Sequence, residues 1–180
     1  MKQRIYIAMV IAFAVATAFS VFAVRSVTDM RSECQQALAN FKNADPTLQG
    51  VLDSSAGYAV FPSVGKGALV IGGAHGKGCV FENGKAIGQA WLSQATIGAQ
   101  IGGQSFSELI VFQTSAALNH FKSSNLELSA GVSAVAAQEG ASKVAKYDEG
   151  VAVFTLAKAG LMVEASVGGQ KLTFEPVTWR

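Results

Sequence analysis

Gly65-Lys66-Gly67-Ala68-Leu69-Val70-Ile71-Gly72-Gly73-Ala74-His75-Gly76-Lys77-Gly78-Cys79-Val80-Phe81 is the stretch whose reading decides the fold. Its apolar residues have β character, yet glycine interrupts them where a strand would normally carry a side chain. Twelve of the chain's 19 glycines fall between Gly57 and Gly103. Glycine weakens a strand interior, because it offers nothing to pack and loses the most backbone entropy on folding. Strands built this way imply bulges, sharp bends of the sheet, or close approach of another backbone or a ligand.

The flanking sequence supplies the rest of a β-rich domain. Tyr58 to Phe61 reads as a short strand ended by Pro62. Ala68 to Ala74 and Gly78 to Phe81 read as two strands with Gly76 in the turn between them. Asn83-Gly84 predicts a two-residue hairpin turn, since both positions require positive φ. Ala86 to Ser93, Ala95 to Ile101, Glu108 to Phe112, Leu126 to Ala136, Val151 to Ala157, Leu161 to Val167 and Lys171 to Phe174 follow as strands. Val151 to Leu156 is apolar on both faces and belongs at the centre of a sheet. Ser115 to Phe121 predicts a short helix, and Gln138 to Lys146 reads equally as helical turn or loop.

On the N-terminal side, Met30, Cys34, Ala37, Leu38 and Phe41 recur at helical spacing and predict a helix over 29–42. Asp45-Pro46 predicts a cap and first position for a second short helix with Leu48, Val51 and Leu52 inward. Strands joined by short turns pair mainly antiparallel. The expectation is one α+β domain, a curved or barrel-like, mainly antiparallel sheet with N-terminal helices packed against it. Residues 24–56 form the helical segment and 57–180 the Gly-rich β part.

Residues 1–23 stand apart. Lys2 and Arg4 precede an uncharged run from Ile5 to Val24 that ends in small residues, the layout of a secretory signal peptide. Cleavage is expected after Ala23, with Ala16-Thr17-Ala18 as another fitting site. The rival is an uncleaved anchor, because about 20 apolar residues cross a bilayer. Either way the domain is expected to be periplasmic or otherwise exported, held in the inner membrane by residues 5–24 in the second case. Cys34 and Cys79 are the only cysteines; they form one disulfide in an oxidising compartment or remain two buried thiols.

The formal charge of +2 comes entirely from Lys2 and Arg4. A neutral remainder is a poor partner for nucleic acid, whose binding rests on neutralising phosphates. Phosphate-loop and dinucleotide fingerprints fail on spacing: Ile71 stands where a Gly76-Lys77 loop needs its first glycine, and Val70 follows Gly65 and Gly67. No Gly-x-Ser-x-Gly elbow occurs, and two Cys and two His lack metal-ligand spacing. No catalytic residue, metal or cofactor is expected. His75 has no near carboxylate before Glu82, and His120 reads as a surface or partly packed side chain on a helix. What remains is a basic rim: Lys66, Lys77 and Lys85, with His75 nearby, around the Gly-rich hairpins. Such a rim suits lipid headgroups, each Lys adding about 1 kcal/mol near an anionic surface; the plainer reading is three solvated turn lysines.

These residues resemble the SYLF domain, a family of lipid-binding modules also found in eukaryotic actin-patch and endocytic proteins. The matching stretches are Val60-Phe61-Pro62-Ser63-Val64, Gly65 to Cys79, Asn83-Gly84-Lys85, Ile97 to Ser105, Glu108 to Phe112, and Ala116 to Phe121. The resemblance spans Gly57 to Gly169. It implies a non-enzymatic domain that binds phospholipid at a membrane surface, with an envelope structural or protein-interaction module as the alternative. Eukaryotic members use a basic amphipathic N-terminal segment, whereas Arg25, Arg31 and Lys42 here are offset by Asp29 and Glu33. Phosphoinositide selectivity is therefore not carried over, nor is actin binding, which an exported protein would never meet.

Overall fold

The structure, a computed structural model, describes residues 29–66, 73–95, 105–123, 125–128, 133–158, 165–166 and 169–177. The signal or anchor segment 1–23 therefore lies outside the described residues. So do the expected strand segments at 68–72, 96–101 and 161–164.

Helix α1 (29–44) and helix α2 (Leu48–Ser54) precede the sheet. Cys34, Ala37, Leu38 and Phe41 of α1 are all buried, as their spacing requires. The strands are β1 (Gly57–Lys66), β2 (Gly73–Glu82), β3 (Lys85–Ala95), β4 (Phe106–Phe112), β5 (Leu126–Glu127), β6 (Ser133–Ala136), β7 (Val151–Ala157), β8 (Ala165–Ser166) and β9 (Gln170–Pro176). Helix α3 (Ser115–Ser123) follows β4, and a short 3₁₀ turn (Ala141–Lys143) precedes β7. They form one strongly curled sheet in the order β5-β9-β3-β2-β1-β4-β7-β6-β8. Pairing is antiparallel except for the parallel β6–β7 contact. The α+β class and the curled, mainly antiparallel sheet agree with the expectation.

Alternation along the strands separates two cores. Ala59, Phe61, Val80, Ala90, Leu92, Ile110, Phe112, Val153 and Leu172 face the inside of the curl. Helix α3 closes that space with Leu118 and Phe121, whose ring stacks on Phe112 at 5.0 Å and tilts against Phe174 at 5.9 Å. Tyr58, Val60, Cys79, Phe81, Leu109, Val111, Ala152 and Phe154 face the other way, onto α1 and α2. Both faces of β4 and β7 are thus covered, which explains their unbroken apolar runs.

Three local expectations are corrected. Pro62 does not end β1: the strand runs on to Lys66 through a register shift between Phe61 and Val64. A proline lacks the ladder N–H and fits such a bulge. The hydroxyl of Ser107 donates to the Pro62 carbonyl at 2.9 Å, replacing a ladder bond. Gly76 is not in a turn, because β2 is continuous from Gly73 to Glu82. Leu126 to Ala136 is two short strands on different partners, β5 on β9 and β6 on β7. The Asn83-Gly84 turn is as expected, with φ of 51° and 72°.

Asp45 does not cap α2; Thr47 holds the N-cap position without a side-chain bond to the helix N–H groups. The fully buried Asp45 carboxylate instead accepts hydrogen bonds from Thr47 N (3.0 Å), Thr47 Oγ1 (2.6 Å), Gly140 N (3.1 Å) and Ser142 N (2.7 Å). It ties the helical segment to the loop before β7.

Candidate lipid-facing surface

The β2–β3 hairpin carries most of the expected site. Along β2, Ala74, Gly76, Gly78 and Val80 point into the curl, so His75, Lys77 and Cys79 point outward. A side chain at Gly78 would meet the Val60 carbonyl at 2.3 Å and the Phe61 ring at 2.8 Å. Glycine is needed there because the Phe61 ring lies across β2, and that close approach lets the sheet curl.

Toward Cys79 the outward face is covered by α1, joined there by the Cys34–Cys79 disulfide with Cα atoms 6.1 Å apart. Farther along it is open. His75 and Lys77 are exposed and register opposite Ser93 and Trp91 of β3. Those in turn register opposite Lys171 and Thr173 of β9. The Lys77 ammonium sits 5.6 Å from the centre of the half-buried Trp91 ring, in reach of a cation–π attraction. Lys171 is half exposed and 3.9 Å from Glu127, a loose surface pair.

The four expected residues do not all converge. Lys66 pairs through its backbone with Ala74, a position that faces into the curl, so register does not set it on the outward face with His75 and Lys77. Lys85 follows the turn at the other end, opposite Glu82. That is five residues from Lys77, about 17 Å of strand. Glu82 pairs with Lys122 of α3 at 3.0 Å. His75 has Gly65 and Ser93 as register neighbours, neither of them a carboxylate. Trp91 and Lys171 were missed in the sequence, because only strand register brings them beside Lys77.

A second polar set lies inside the curl. Glu108 of β4 is fully buried, registers opposite Thr155 of β7, and accepts a 3.0 Å hydrogen bond from the amide of the buried Gln170. Burial pushes its carboxyl up to about 8, only partly opposed by that bond. Among the described residues, Glu108 Oε1, Thr155 Oγ1 and Gln170 Oε1 have no hydrogen-bond partner. Nothing in the apolar strand Glu108 to Phe112 signalled this cluster. At Asp45 burial also raises the carboxyl, but the hydrogen bonds from Thr47, Ser142 and Gly140 outweigh it and hold it at about 2. Among the described residues no group of three His, Cys, Asp or Glu side chains is arranged to hold a metal ion.

Comparison with known proteins adds two findings. Residues 93–176, from the end of β3 through β9, match the family described as "Ysc84: Las17-binding protein actin regulator". The chain is also 31% identical over 137 residues to "Beta cell expansion factor A" of Aeromonas veronii. That alignment covers 75% of this chain and 52% of the relative, so the chain spans about half the length of the curated relative it matches. His75, Lys77 and Trp91 precede the family-matched stretch.

Proposed function

Residues 93–176 of this chain belong to the SYLF (Ysc84) family, a lipid-binding kind of module, and from that premise we propose an exported, non-enzymatic protein that binds phospholipid at a membrane surface. The observation that carries the reading is the Lys77–Trp91 pair on the open outward face of β2 and β3. An ammonium stacked on a half-buried indole presents a cation and an interfacial aromatic together, the two side-chain types that favour a headgroup layer. His75 at the same end of the hairpin, and Lys171 across β9, add basic groups around it. Lys85 joins them only through a broad contact area.

Export is supported by the Lys2/Arg4–apolar–small layout of 1–23 and by the disulfide, since such bonds persist in oxidising compartments. The family description names a protein partner and actin regulation; an exported chain would meet neither in the cytoplasm. It does favour, as a second reading, an envelope protein-interaction module.

Flotation of the full chain with vesicles separates the two readings. Binding to anionic phosphatidylglycerol vesicles at low salt, weakened by joint replacement of Lys66, Lys77 and Lys85 with Glu, is expected for the lipid reading. Absence of flotation, with recovery of one stoichiometric protein partner, overturns it in favour of the second.

A further inference from the structure

The β1 bulge opens a groove on the helix side of the sheet. Pro62 and Ser63 line it from the bulge, and Ser107 of β4 is committed to the Pro62 carbonyl at 2.9 Å. Helix α1 forms one wall and the end of β7 the other of an open groove of about 660 Å³. Glu33 lines it from α1 and Lys158 from the β7 end. Both are exposed, and neither belongs to the two ion pairs found among the described residues, Lys122–Glu82 and Lys171–Glu127. Opposite charges that share a groove without pairing leave room for a ligand carrying both signs. Gln36 donates to Asn40 Oδ1 at 3.2 Å, which fixes the Asn40 amide and leaves its N–H groups to donate. Ser63 adds a hydroxyl, and the half-buried Leu156 an apolar surface.

We propose that this groove binds a zwitterionic headgroup made of a primary ammonium and a phosphodiester. The ammonium donates to Glu33, the phosphodiester accepts from Lys158 and Asn40, and the glycerol carbons lie along Leu156. The inference deepens the lipid-binding reading and rests on it, and it places the headgroup in a groove whose Ser63 registers opposite Lys77. Three N–H donors suit the Glu33 carboxylate, whereas a trimethylammonium has none, so ethanolamine is preferred to choline.

The test titrates the full chain with soluble glycerophosphoethanolamine, followed by NMR, beside flotation on phosphatidylcholine vesicles with and without phosphatidylethanolamine. Saturable shifts at Glu33, Ser63 and Lys158 are expected, about tenfold weaker in Glu33→Gln or Lys158→Gln and weaker for glycerophosphocholine with the unaltered chain. Near-UV circular dichroism checks that the variants stay folded, and the choline comparison needs no variant at all. No shift at these residues, or unaltered binding by both variants, overturns the groove; flotation persisting in that case leaves the membrane reading standing. Groove binding without flotation on any vesicle, the anionic ones included, overturns the membrane reading instead and assigns the groove to the free headgroup compound. Flotation that gains from phosphatidylethanolamine and loses that gain in Glu33→Gln assigns it to the membrane lipid.

Discussion

Glu108 and Asp45 are both fully buried carboxyls, and their surroundings act on them in opposite directions. Burial leaves Glu108 with one hydrogen bond, so its folded value rises to about 8 from an ordinary 4.5. Between those two values the folded chain holds a proton that the unfolded chain has lost. Stability from this group therefore falls as pH rises from about 4.5 to about 8, and the loss is complete above that. Glu108→Gln keeps the shape, removes the titration and offers donors to Thr155 Oγ1 or Gln170 Oε1. It is expected to be more stable than the parent at pH 9 by about 2 kcal/mol, with a flatter urea-midpoint profile across pH 5–9. A parallel profile for the two proteins would show that Glu108 does not titrate in this range. Asp45 has the reverse sign: four hydrogen bonds hold it at about 2, below an ordinary 3.8. Its contribution is full above about 3.8 and lost as pH falls through about 2. Asp45→Ala orphans the backbone N–H groups of Thr47, Gly140 and Ser142 and should cost about 3 kcal/mol at neutral pH, read by urea unfolding. Neither burial was legible in the sequence. Glu108 sits in an apolar run whose polar partners Thr155 and Gln170 lie 47 and 62 residues away, and Asp45 followed by proline resembles an ordinary helix cap because Gly140 and Ser142, which complete its shell beside the neighbouring Thr47, lie 95 and 97 residues away.

Among the elements, β2 shows where sequence reading succeeds and where it stops. The turn that follows it was legible, since Asn83-Gly84 satisfies a local backbone requirement. The course of the strand was not. Gly76 looks like a turn glycine and Gly78 like the start of a new strand, yet both lie inside one ten-residue strand, making room for Val64 and Phe61 of the neighbouring strand. Gly78→Ala forces a methyl into the Val60 carbonyl and the Phe61 ring. It should cost about 3 kcal/mol and lower the melting temperature, whereas Gly84→Asn, at a turn position asparagine tolerates, should be nearly neutral. Equal effects of the two would mean that β2 does not pack under Phe61. The same strand anchors α1 through Cys34–Cys79, which closes a loop across 45 residues. Restricting such a loop stabilises by about 4 kcal/mol in the chain-entropy account. The Cys34→Ser/Cys79→Ser double variant is expected to unfold at a clearly lower urea concentration than the oxidised protein. A reductant should bring the parent down to the same midpoint and leave the variant unmoved. The helical period of α1 placed Cys34 inward; only the sheet register brings Cys79 beneath it.

For the whole molecule, the curled sheet divides its surface unequally. Helices α1 and α2 cover the outward face of β1, β4 and β7, and α3 closes the inside, so among the described residues the outward face around His75, Lys77 and Lys171 is the exposed part. A curled, helix-backed sheet was legible from the glycine distribution and the N-terminal apolar spacing, but which face stays open depends on strand order. That order puts β9, the last strand, beside β3 and brings Lys171 and Trp91 to one surface with Lys77. If this surface meets the membrane, the molecule lies on the bilayer along β2, β3 and β9, with α1 turned to the side. Trp91 is the natural reporter of that orientation. The chain has two tryptophans, and replacing Trp179 with Phe leaves Trp91 alone. On vesicles its emission is expected to shift to the blue and to be quenched by lipids brominated near the headgroup more than by those brominated near the chain end. Raising salt from about 0.05 to 0.5 M should release the protein, because exposed cations act over only about a Debye length. Lys77→Gln should weaken binding while leaving the fold intact, since Lys77 is exposed and its contact with Trp91 is worth about 0.5–1 kcal/mol in water. Flotation with unshifted, unquenched Trp91 emission would mean that another face makes the contact and that the opening of β3 and β9 serves some other encounter.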